Sequence, residues 1–391
     1  MTEKNAKPQL RFAGFDDTWE QRKAVDIADY SKGNGYSKSD LTEIGTPIIL
    51  YGRLYTKYQF AISEVDTFAT PKDGSVYSQG NEVIIPASGE TAEDIARASA
   101  VEKSGILLGG DLNILRPFNF INPLFLALTI SSGEPQKELA KKAQGKSVVH
   151  IHNSDIQEVS VSFPTRAEQD RIVAVFRHLD NLITLHQRKY DKLTNVKKSM
   201  LEKMFPKNGS NVPEIRFKGF SDAWEQRKLG DVATEMVAGG DIDKDLILDE
   251  GRYPVIANAL TNDGIVGYYN EDYRIKAPAV TITGRGDVGH AKARIVDFTP
   301  VVRLLSLKSN HDVFFLENAI NTLKIVIEST GVPQLTVPQL AKYEISFPKS
   351  LDEEEKIGVY FNQLDDLITL HQRELEKLKN LKKACLEKMF V

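Results

Sequence analysis

Two glycine-containing stretches have the spacing of nucleotide-binding motifs. "GRGDVG" (284–289) matches the G-x-G-x-x-G pattern, and "AKKAQGKS" (140–147) matches a loose phosphate-binding loop. Both motifs act by presenting a helix N-terminus to a phosphate directly after a strand. The first is followed by "HAKARIVDF", which alternates like a strand, and the second follows a helical stretch. Both contexts argue against nucleotide binding, and the first predicts a glycine-rich hairpin loop.

The sequence contains no repeated set of residues suited to catalysis. "INPLF" (121–125) lacks the second proline of the N-P-P-F motif of adenine methyltransferases. No nucleophile–base pair, metal-ligand group or pair of carboxylates recurs in both halves of the chain. The only cysteine, Cys385, excludes a disulfide framework and a cysteine-rich zinc site. We therefore expect a protein without catalytic residues or a metal of its own.

Length and composition indicate a globular protein of two or more domains. The chain has 391 residues, 41% hydrophobic and 27% charged, and no apolar run long enough to span a bilayer. The N-terminus lacks the apolar stretch of a secretory signal, and a single cysteine suits a reducing cytoplasm. The net charge of −4 is unlike that of a strongly basic nucleic-acid-binding protein, but it allows local basic patches.

Two segments of the chain occur twice. Residues 8–23 ("PQLRFAGFDDTWEQRK") return at 213–228 with 11 of 16 positions identical. Residues 179–205 return at 364–390 with 19 of 27 positions identical. The residues between these segments share little sequence in the two copies. The chain is therefore a repeated frame around two different inserts.

Each insert is predicted to be a mixed α+β domain. Alternating apolar residues and β-branched content predict strands in both copies. These lie at 46–58, 82–88, 105–117, 148–152 and 159–164, and at 252–259, 277–284, 291–298, 301–308 and 343–348. Helices are expected around 123–143 and 316–328. We divide the chain into domain 1 (8–164), a first helical region (165–205), a linker (206–212), domain 2 (213–348) and a second helical region (349–391).

The two helical regions are predicted to pair through a coiled-coil seam. Residues at alternating spacings of four and three form this seam. They are Leu179, Ile183, His186, Tyr190, Leu193, Lys197 and Met200, and then Leu364, Ile368, His371, Leu375, Leu378, Lys382 and Cys385. Leucines beside the seam, such as Leu185 and Leu370, predict a further neighbour for each helix. His186 and His371 share one seam position, so they either hydrogen-bond across the helices or share a metal.

Equivalent helices of one chain can pair about a pseudo-two-fold axis. If that axis is perpendicular to the helices, they run antiparallel and the inserts lie at opposite ends. Duplex DNA has the same two-fold symmetry, so two DNA-binding inserts would read inverted half-sites at a fixed spacing. Because the inserts differ in sequence, the half-sites should differ as well.

The combination of these segments resembles the specificity (S) subunit of type I restriction–modification systems. The resemblance covers nearly the whole chain. It rests on the repeated RFxGFxDxWEQRK opener, the "SFP…AEQDRI" and "SFP…DEEEKI" transitions, and the two LITLHQR…LEKMF stretches. One departure is visible, because the second copy has "DEEEK" where the first has the family-like "AEQDR".

The resemblance implies a role without catalysis. Each domain would be a target recognition domain that reads one half of a split, asymmetric site in double-stranded DNA. The helices would form an antiparallel coiled coil that sets the gap between the halves. The helical regions and domain flanks would dock two methyltransferase subunits, and motor–nuclease subunits would complete a complex for DNA methylation and phage defence. S-adenosylmethionine, ATP and Mg²⁺ would bind these partners.

Side chains suited to DNA contact cluster on expected loops beside strands. Arg and Lys match guanine, Asn and Gln match adenine, carboxylates match cytosine, and hydroxyl groups contact phosphates. The candidates are Arg53, Tyr55, Thr56, Lys57, Ser88, Glu90 and Thr91 in domain 1, and Asn258, Thr261, Asn262, Thr283, Arg285, Asp287, His290 and Lys292 in domain 2. Solvated turns are the alternative explanation for these residues.

A coiled-coil scaffold with two protein-binding domains is the alternative function. Such a scaffold would have little reason to keep two matching frames while only the inserts vary. A reader of two unlike half-sites has that reason, so DNA recognition is the preferred interpretation.

Overall fold

A computed structural model describes residues 7–145, 148–207, 209–325 and 333–391. The chain forms two compact units. The first consists of Met1–Leu185 and Leu375–Val391, and the second of His186–Glu374. Each unit therefore combines one insert with part of each helical region. No helix in the described ranges is long and apolar enough to cross a membrane.

The first unit is built on two five-stranded sheets. Its strands are β1 (Glu20–Lys23), β2 (Ala28–Lys32), β3 (Leu41–Thr42), β4 (Thr46–Ile49), β5 (Ala61–Ile62), β6 (Phe68–Ala69), β7 (Tyr77–Gln79), β8 (Glu82–Pro86), β9 (Ser88–Gly89), β10 (Ser99–Val101), β11 (Ser104–Leu108), β12 (Leu112–Pro117), β13 (Val149–His150) and β14 (Ser160–Phe163). The sheet orders are β2-β12-β8-β10-β5 and β3-β6-β4-β11-β7. Two small pairs, β1-β14 and β13-β9, complete the unit.

Short helices cover the sheets of the first unit. They are α1 (Arg53–Thr56), α2 (Ala92–Ile95), α3 (Pro123–Ile130), α4 (Gly133–Lys142) and α5 (Asn153–Gln157). Helix α3 begins after Asn122, whose side-chain oxygen accepts a hydrogen bond from the backbone N–H of Leu124 (2.9 Å). It packs against β8 and β10. Phe125 on this helix is fully buried in the largest cluster of the unit's core.

The second unit has a simpler sheet arrangement. Its strands are β15 (Glu225–Lys228), β16 (Ala233–Ala238), β17 (Tyr253–Ile256), β18 (Ile265–Tyr269), β19 (Ala279–Ile282), β20 (Ala291–Arg294), β21 (Thr299–Pro300), β22 (Leu305–Ser309) and β23 (Glu344–Phe347). They form the sheets β16-β22-β19-β20, β18-β17-β21 and β15-β23. The short helices of this unit are α7 (Leu229–Val232), α8 (Val313–Asn321) and α9 (Val337–Leu340), which follow the long helix α6 (Arg166–Met204) in the chain. Helix α8 packs on β19 and β20.

Both helical regions form long helices, as predicted. They are α6 (Arg166–Met204, 39 residues) and α10 (Leu351–Lys388, 38 residues). Within each unit, the segments of α6 and α10 run antiparallel to each other. Going along α6 towards its C-terminus, each residue contacts a residue closer to the N-terminus of α10. The contacts are Phe176 with Phe390 and Asp180 with Lys382 in the first unit, and His186 with His371, Lys197 with Asp365 and Phe205 with Phe361 in the second.

The repeated opener has the same structure in both units. Strand β1 pairs antiparallel with β14, and β15 pairs antiparallel with β23. Each opener tryptophan is buried against a phenylalanine of the following helix, Trp19 against Phe125 and Trp224 against Phe315, with ring centroids 5.8 Å apart in both cases. Each opener also hydrogen-bonds to the end of a long helix: the N–H of residue 10 donates to the carbonyl of residue 388 (2.8 Å), and that of residue 215 to residue 203 (2.9 Å).

Several predicted elements are wrong in extent. The expected strand at 46–58 ends at Ile49, and α1 follows it. The strand at 105–117 is two strands of different sheets, β11 and β12, separated by a turn in which Asp111 has φ of 57°. The strand at 301–308 begins only at Leu305, after Arg303 with φ of 71°. The helix around 123–143 breaks into α3 and α4 at Ser131 and Ser132.

Other predicted elements differ more mildly. The helix around 316–328 corresponds to α8, which ends at Asn321, and positions 326–328 lie outside the described residues. The remaining predicted strands are present but shorter. The strands that were not predicted are short or lack clear alternation of side chains. They are the opener strands β1 and β15, and β2, β3, β5, β6, β7, β10, β16, β18 and β21.

Candidate nucleic-acid interface

The two candidate stretches of domain 2 lie next to each other. The side-chain oxygen of Asn258 accepts a hydrogen bond from the backbone N–H of Gly284 (2.8 Å), and its amide donates to the carbonyl of Val302 (3.1 Å). The guanidinium of Arg294 donates to the carbonyl of Asp263 (2.9 Å). Burial lowers the pKa of Arg294. The loop at 258–263 is therefore fixed against the β19–β20 hairpin, where Thr261 and Asn262 are exposed.

The hairpin loop at 283–290 confirms the glycine-rich turn predicted there. Thr283 closes the loop, because its buried hydroxyl donates to the carbonyl of Asp287 (2.5 Å) and accepts from the N–H of His290 (3.0 Å). The His290 ring lies 3.4 Å from the Asp287 carboxylate. Arg285 forms a backbone bridge with Gln334. Arg285, Asp287 and His290 are exposed.

Lys292 forms an ion pair with a buried carboxylate of domain 2. Its ammonium lies 3.7 Å from the carboxylate of Glu317, a side chain that is 7% exposed. Burial raises the pKa of Glu317, and Lys292 opposes that shift. Lys292 therefore compensates a buried carboxylate, which makes it a poorer candidate for DNA contact than Arg285.

The first candidate stretch of domain 1 is organised by Asp66. Its carboxylate accepts hydrogen bonds from Lys57 and Arg53, both at 2.5 Å, and these two cations hold the pKa of Asp66 well below its usual range. The Arg53 side chain is only 10% exposed. Thr56 is exposed at the end of α1, and its hydroxyl donates to the carbonyl of Gly52 (2.9 Å). Arg53 thus supports the loop, whereas Thr56 and Lys57 face solvent.

The second candidate stretch of domain 1 combines one buried residue with two exposed ones. Ser88 is buried and hydrogen-bonds to Nδ1 of His150 (3.2 Å). Thr91 caps α2 by accepting from the N–H of Asp94 (3.1 Å). Glu90 is exposed, and the helix that follows it, α2, contacts α1. Burial, then Tyr51 and Glu90, raise the pKa of Tyr55. The two stretches of domain 1 therefore come together, as do those of domain 2.

The candidates fall into two groups. Side chains that face solvent are Tyr55 (half-buried), Thr56, Lys57, Glu90, Thr261, Asn262, Arg285, Asp287 and His290. Side chains committed to internal contacts are Arg53, Ser88, Thr91, Asn258, Thr283 and Lys292. Sequence reasoning missed the residues that shape these loops, Asp66 and Arg294. Asp66 lies 13 residues from Arg53, so no local pattern joins them.

The predicted coiled-coil seam is present in the structure. Every predicted seam side chain is buried or half-buried, including Leu179, Leu364 and Leu375. The leucines beside the seam behave differently. Leu185 is 46% exposed and Leu370, its equivalent in the second copy, is 51% exposed. No second neighbour within the described chain covers them.

The two seam histidines hydrogen-bond across the helices. Nδ1 of His186 and Nδ1 of His371 are 3.1 Å apart, so one ring donates and the other accepts. Burial, the His186 ring and Lys189 lower the pKa of His371. Among the residues described, no group of three or more His, Cys, Asp and Glu side chains is placed to hold a metal. The hydrogen-bonded alternative is the one the geometry supports.

The "DEEEK" departure is matched by a different partner residue. Glu353 pairs with Arg216 (2.6 Å) just as Glu168 pairs with Arg11 (2.7 Å) in the first unit. The next residue, Glu354, is 1% exposed and accepts a hydrogen bond from Nδ1 of His311 (2.9 Å). Of the two carboxylates that the second copy adds, Glu354 therefore lies inside the second unit, whereas Asp352, at the position of Ala167, is exposed.

Comparison with known proteins assigns most of the chain to one family. The family model described as "Type I restriction modification DNA specificity domain" matches residues 16–195 and 221–380. A putative type I specificity subunit from Mycoplasma pneumoniae is 24% identical over 249 residues, or 62% of this chain and 64% of that protein. The match thus spans just under two thirds of that relative. The putative type I restriction enzyme MjaX specificity subunit of Methanocaldococcus jannaschii is 24% identical over 374 residues, or 89% of this chain and 82% of that protein.

A solved structure shares the fold. The crystal structure of a type I restriction–modification S subunit from M. genitalium covers 98% of this chain and 99% of its own chain. The TM-score is 0.70 at 15% sequence identity. The fold of this chain is therefore one that a crystallised S subunit also adopts.

Proposed function

Because the chain belongs to the type I restriction–modification DNA specificity family, we propose that it is the non-catalytic DNA-recognition subunit of a type I complex. One observation carries this proposal: the same frame contacts surround two unlike inserts. Arg11–Glu168 and Arg216–Glu353 tie the openers to the long helices in equivalent ways. A constant frame with variable inserts suits a reader of two different DNA half-sites.

Each domain is proposed to read one half-site through its exposed loop side chains. In domain 2, Arg285 and Asn262 offer groups that match guanine and adenine in the major groove. In domain 1, Lys57 and Thr56 offer a cation and a hydroxyl to phosphates, and Glu90 suits cytosine. The exposed sets share no common pattern, so the two half-sites should have unlike sequences.

The helical regions are proposed to dock two methyltransferase subunits. Leu185 and Leu370 occupy equivalent positions and are both about half exposed. Leu351 and Val359, on the first turns of α10, are also exposed. Apolar side chains on an otherwise polar helix surface favour burial against a partner. Occurrence of the leucine in each repeat fits two copies of that partner.

The complete complex would contain further subunits. We place S-adenosylmethionine on the methyltransferase subunits and ATP with Mg²⁺ on motor–nuclease subunits, and none of them on this chain. The complex would act on double-stranded DNA in the cytoplasm.

Methylation mapping tests the proposed function. The chain is expressed with its cognate methyltransferase in a host without DNA modification, and the genome is sequenced for methyladenine. We expect a split motif with two unlike halves that disappears when this chain is omitted. Methylation that is absent, or that persists without the chain, would remove the specificity role and favour a protein scaffold.

Paired variants test the assignment of one half-site to each domain. Arg285→Ala should relax base preference in one half of the motif, and Lys57→Ala should weaken binding without doing so. Arg285 is preferred to Lys292 because removing Lys292 would leave Glu317 buried without its cation. If Arg285→Ala altered both halves equally, the two domains would not read separate half-sites.

A further inference from the structure

A groove in the first unit carries four cationic side chains. It lies between the loop at 58–63 and those parts of α6 and α10 that belong to this unit, and its volume is about 600 Å³. The cations are Arg177, Lys379, Lys382 and Lys383. Two carboxylates, Glu102 and Asp180, share the lining. In a chain with a net charge of −4, the groove is a local excess of positive charge.

Two of the cations are already paired. Arg177 forms an ion pair with Glu102, and Lys382 forms one with Asp180 at 2.5 Å. Lys379 and Lys383 are exposed, and neither takes part in an ion pair with the residues that the structure describes. These two ammonium groups are the ones available to a ligand.

The internal repeat shows that part of this charge is not needed for helix pairing. The position equivalent to Lys379 in the first copy is Thr194, and the position equivalent to Arg177 in the second copy is Asn362. The helices nevertheless pair in the second unit, where Lys197 and Asp365 make the equivalent of the Lys382 ion pair (2.6 Å). Of the two lysines available to a ligand, Lys379 is thus particular to the first unit, whereas Lys383 has a counterpart in Lys198.

The remaining lining indicates the chemistry of the ligand. Exposed amides and hydroxyl groups flank the lysines, at Gln59, Ser63, Asn181 and Thr184. The apolar and aromatic part of the lining consists of Tyr58, Phe60, Ala61, Ile183 and Leu386. Lysines, hydroxyl groups and amides are the groups that contact nucleic-acid phosphates. The core of a protein–protein interface is instead poor in charge and rich in aromatic surface. The lining thus favours a phosphodiester over a protein segment.

We propose that this groove binds the phosphodiester backbone of DNA beside the half-site that domain 1 reads. The proposal rests on the proposed function. Lys379 and Lys383 each contact a phosphate, and Arg177, held by Glu102, adds to the positive potential. These contacts position the DNA without reading its bases. They add more to the affinity for DNA beside the half-site of domain 1 than the equivalent surface of the second unit adds beside the half-site of domain 2.

Salt dependence of DNA binding tests the groove. The full chain, assembled with its methyltransferase subunits, is titrated against a duplex carrying the mapped site at increasing NaCl concentrations. Each phosphate contact contributes about 0.9 to the slope of log K against log salt. The double variant Lys379→Thr, Lys383→Gln should lower that slope by about 1.8. Relative to wild type, binding should weaken by about 60-fold at 0.1 M salt, and the difference should vanish near 1 M.

The repeat provides a matched control. Lys198→Gln changes the position equivalent to Lys383, on an equally exposed site of the second unit. It should leave the slope unchanged. Duplexes with neutral methylphosphonates beside the domain 1 half-site should weaken wild-type binding and leave the double variant unaffected.

The outcomes separate the two proposals. If wild type does not bind the split site, the proposed function fails. If wild type binds it and the double variant keeps the same slope, only the groove proposal is overturned. It is also overturned if the double variant assembles with fewer methyltransferase subunits while its binding to DNA is unchanged, since the groove would then hold a protein. Amide exchange of β8 confirms that the double variant is folded.

Discussion

Replacing Phe390 by alanine should unfold the first unit selectively. The Phe390 ring lies 5.8 Å from the rings of Phe125 and Phe176, is 6% exposed, and belongs to the same core cluster as Val83 and Ile85 of β8. Removing a buried phenylalanine side chain costs about 3–5 kcal/mol, because the lost transfer free energy adds to the cavity left behind. Phe390 lies at the opposite end of the chain from domain 1, yet its removal should destabilise the core of that domain.

Hydrogen exchange measures the effect strand by strand. If exchange follows opening of the whole unit, 3–5 kcal/mol corresponds to about 100- to 3000-fold faster exchange at β8. The strand β19 of the second unit should be unchanged. The mirror variant is Phe205→Ala, because Phe205 belongs to the core cluster of Val280 and Ile282 on β19. It should reverse the pattern. Equal acceleration in both strands, or none in β8, would refute the idea that the last residues complete the first core.

Four further perturbations probe the frame. Glu354→Ala should destabilise the second unit by about 1–3 kcal/mol, since it leaves the His311 ring and the backbone N–H of Asp312 without their hydrogen-bond partner; denaturant titration measures this, and Glu354→Gln should cost less. Gly358→Ala should cost about 1–3 kcal/mol in the same titration, because the new methyl group would lie 2.0 Å from the carboxylate that caps α8. The lowered pKa of His371 means that the folded state favours the neutral ring, so the free energy of unfolding should fall as pH drops below 6.5. Calorimetry at several pH values should show this fall, and His371→Gln should flatten it. Adding one heptad to each long helix should change the gap in the methylated motif, and an unchanged gap would show that the helices do not set it.

The openers and the long helices could be predicted from the sequence because each of them occurs twice in the chain. Repetition identified the openers and the long helices without any knowledge of their contacts. Seam residues such as Leu179 and Leu375 followed from a spacing that depends only on helix geometry. The opener tryptophans, Trp19 and Trp224, show the same repetition in the structure, since each packs on a phenylalanine of its own insert.

The candidate interface could be predicted only by residue type. Arg53 and Arg285 are equivalent in sequence terms, as cations on a loop beside a strand. In the structure Arg53 is held by Asp66 and Arg285 is exposed. Whether a cation is available to DNA depends on whether the fold places a carboxylate beside it, as it places Asp66 beside Arg53. The same limit applies to Lys292, whose partner Glu317 lies on α8, 25 residues along the chain.

The "DEEEK" departure shows how the two copies have diverged while keeping one frame. In the first unit Gln169 accepts from the N–H of Asn122 (2.7 Å) and donates to the carbonyl of Pro164 (2.9 Å). Its equivalent, Glu354, cannot donate as a carboxylate, so it requires a donor, and His311 supplies one. Gln169 and Glu354 belong to the frame, whereas Asn122 and His311 belong to the inserts. An insert moved into the other frame would therefore meet the wrong partner at a buried hydrogen bond, at a cost of about 1–3 kcal/mol. Each insert is therefore matched to its own frame by a buried hydrogen bond, of Gln169 in the first unit and of Glu354 in the second.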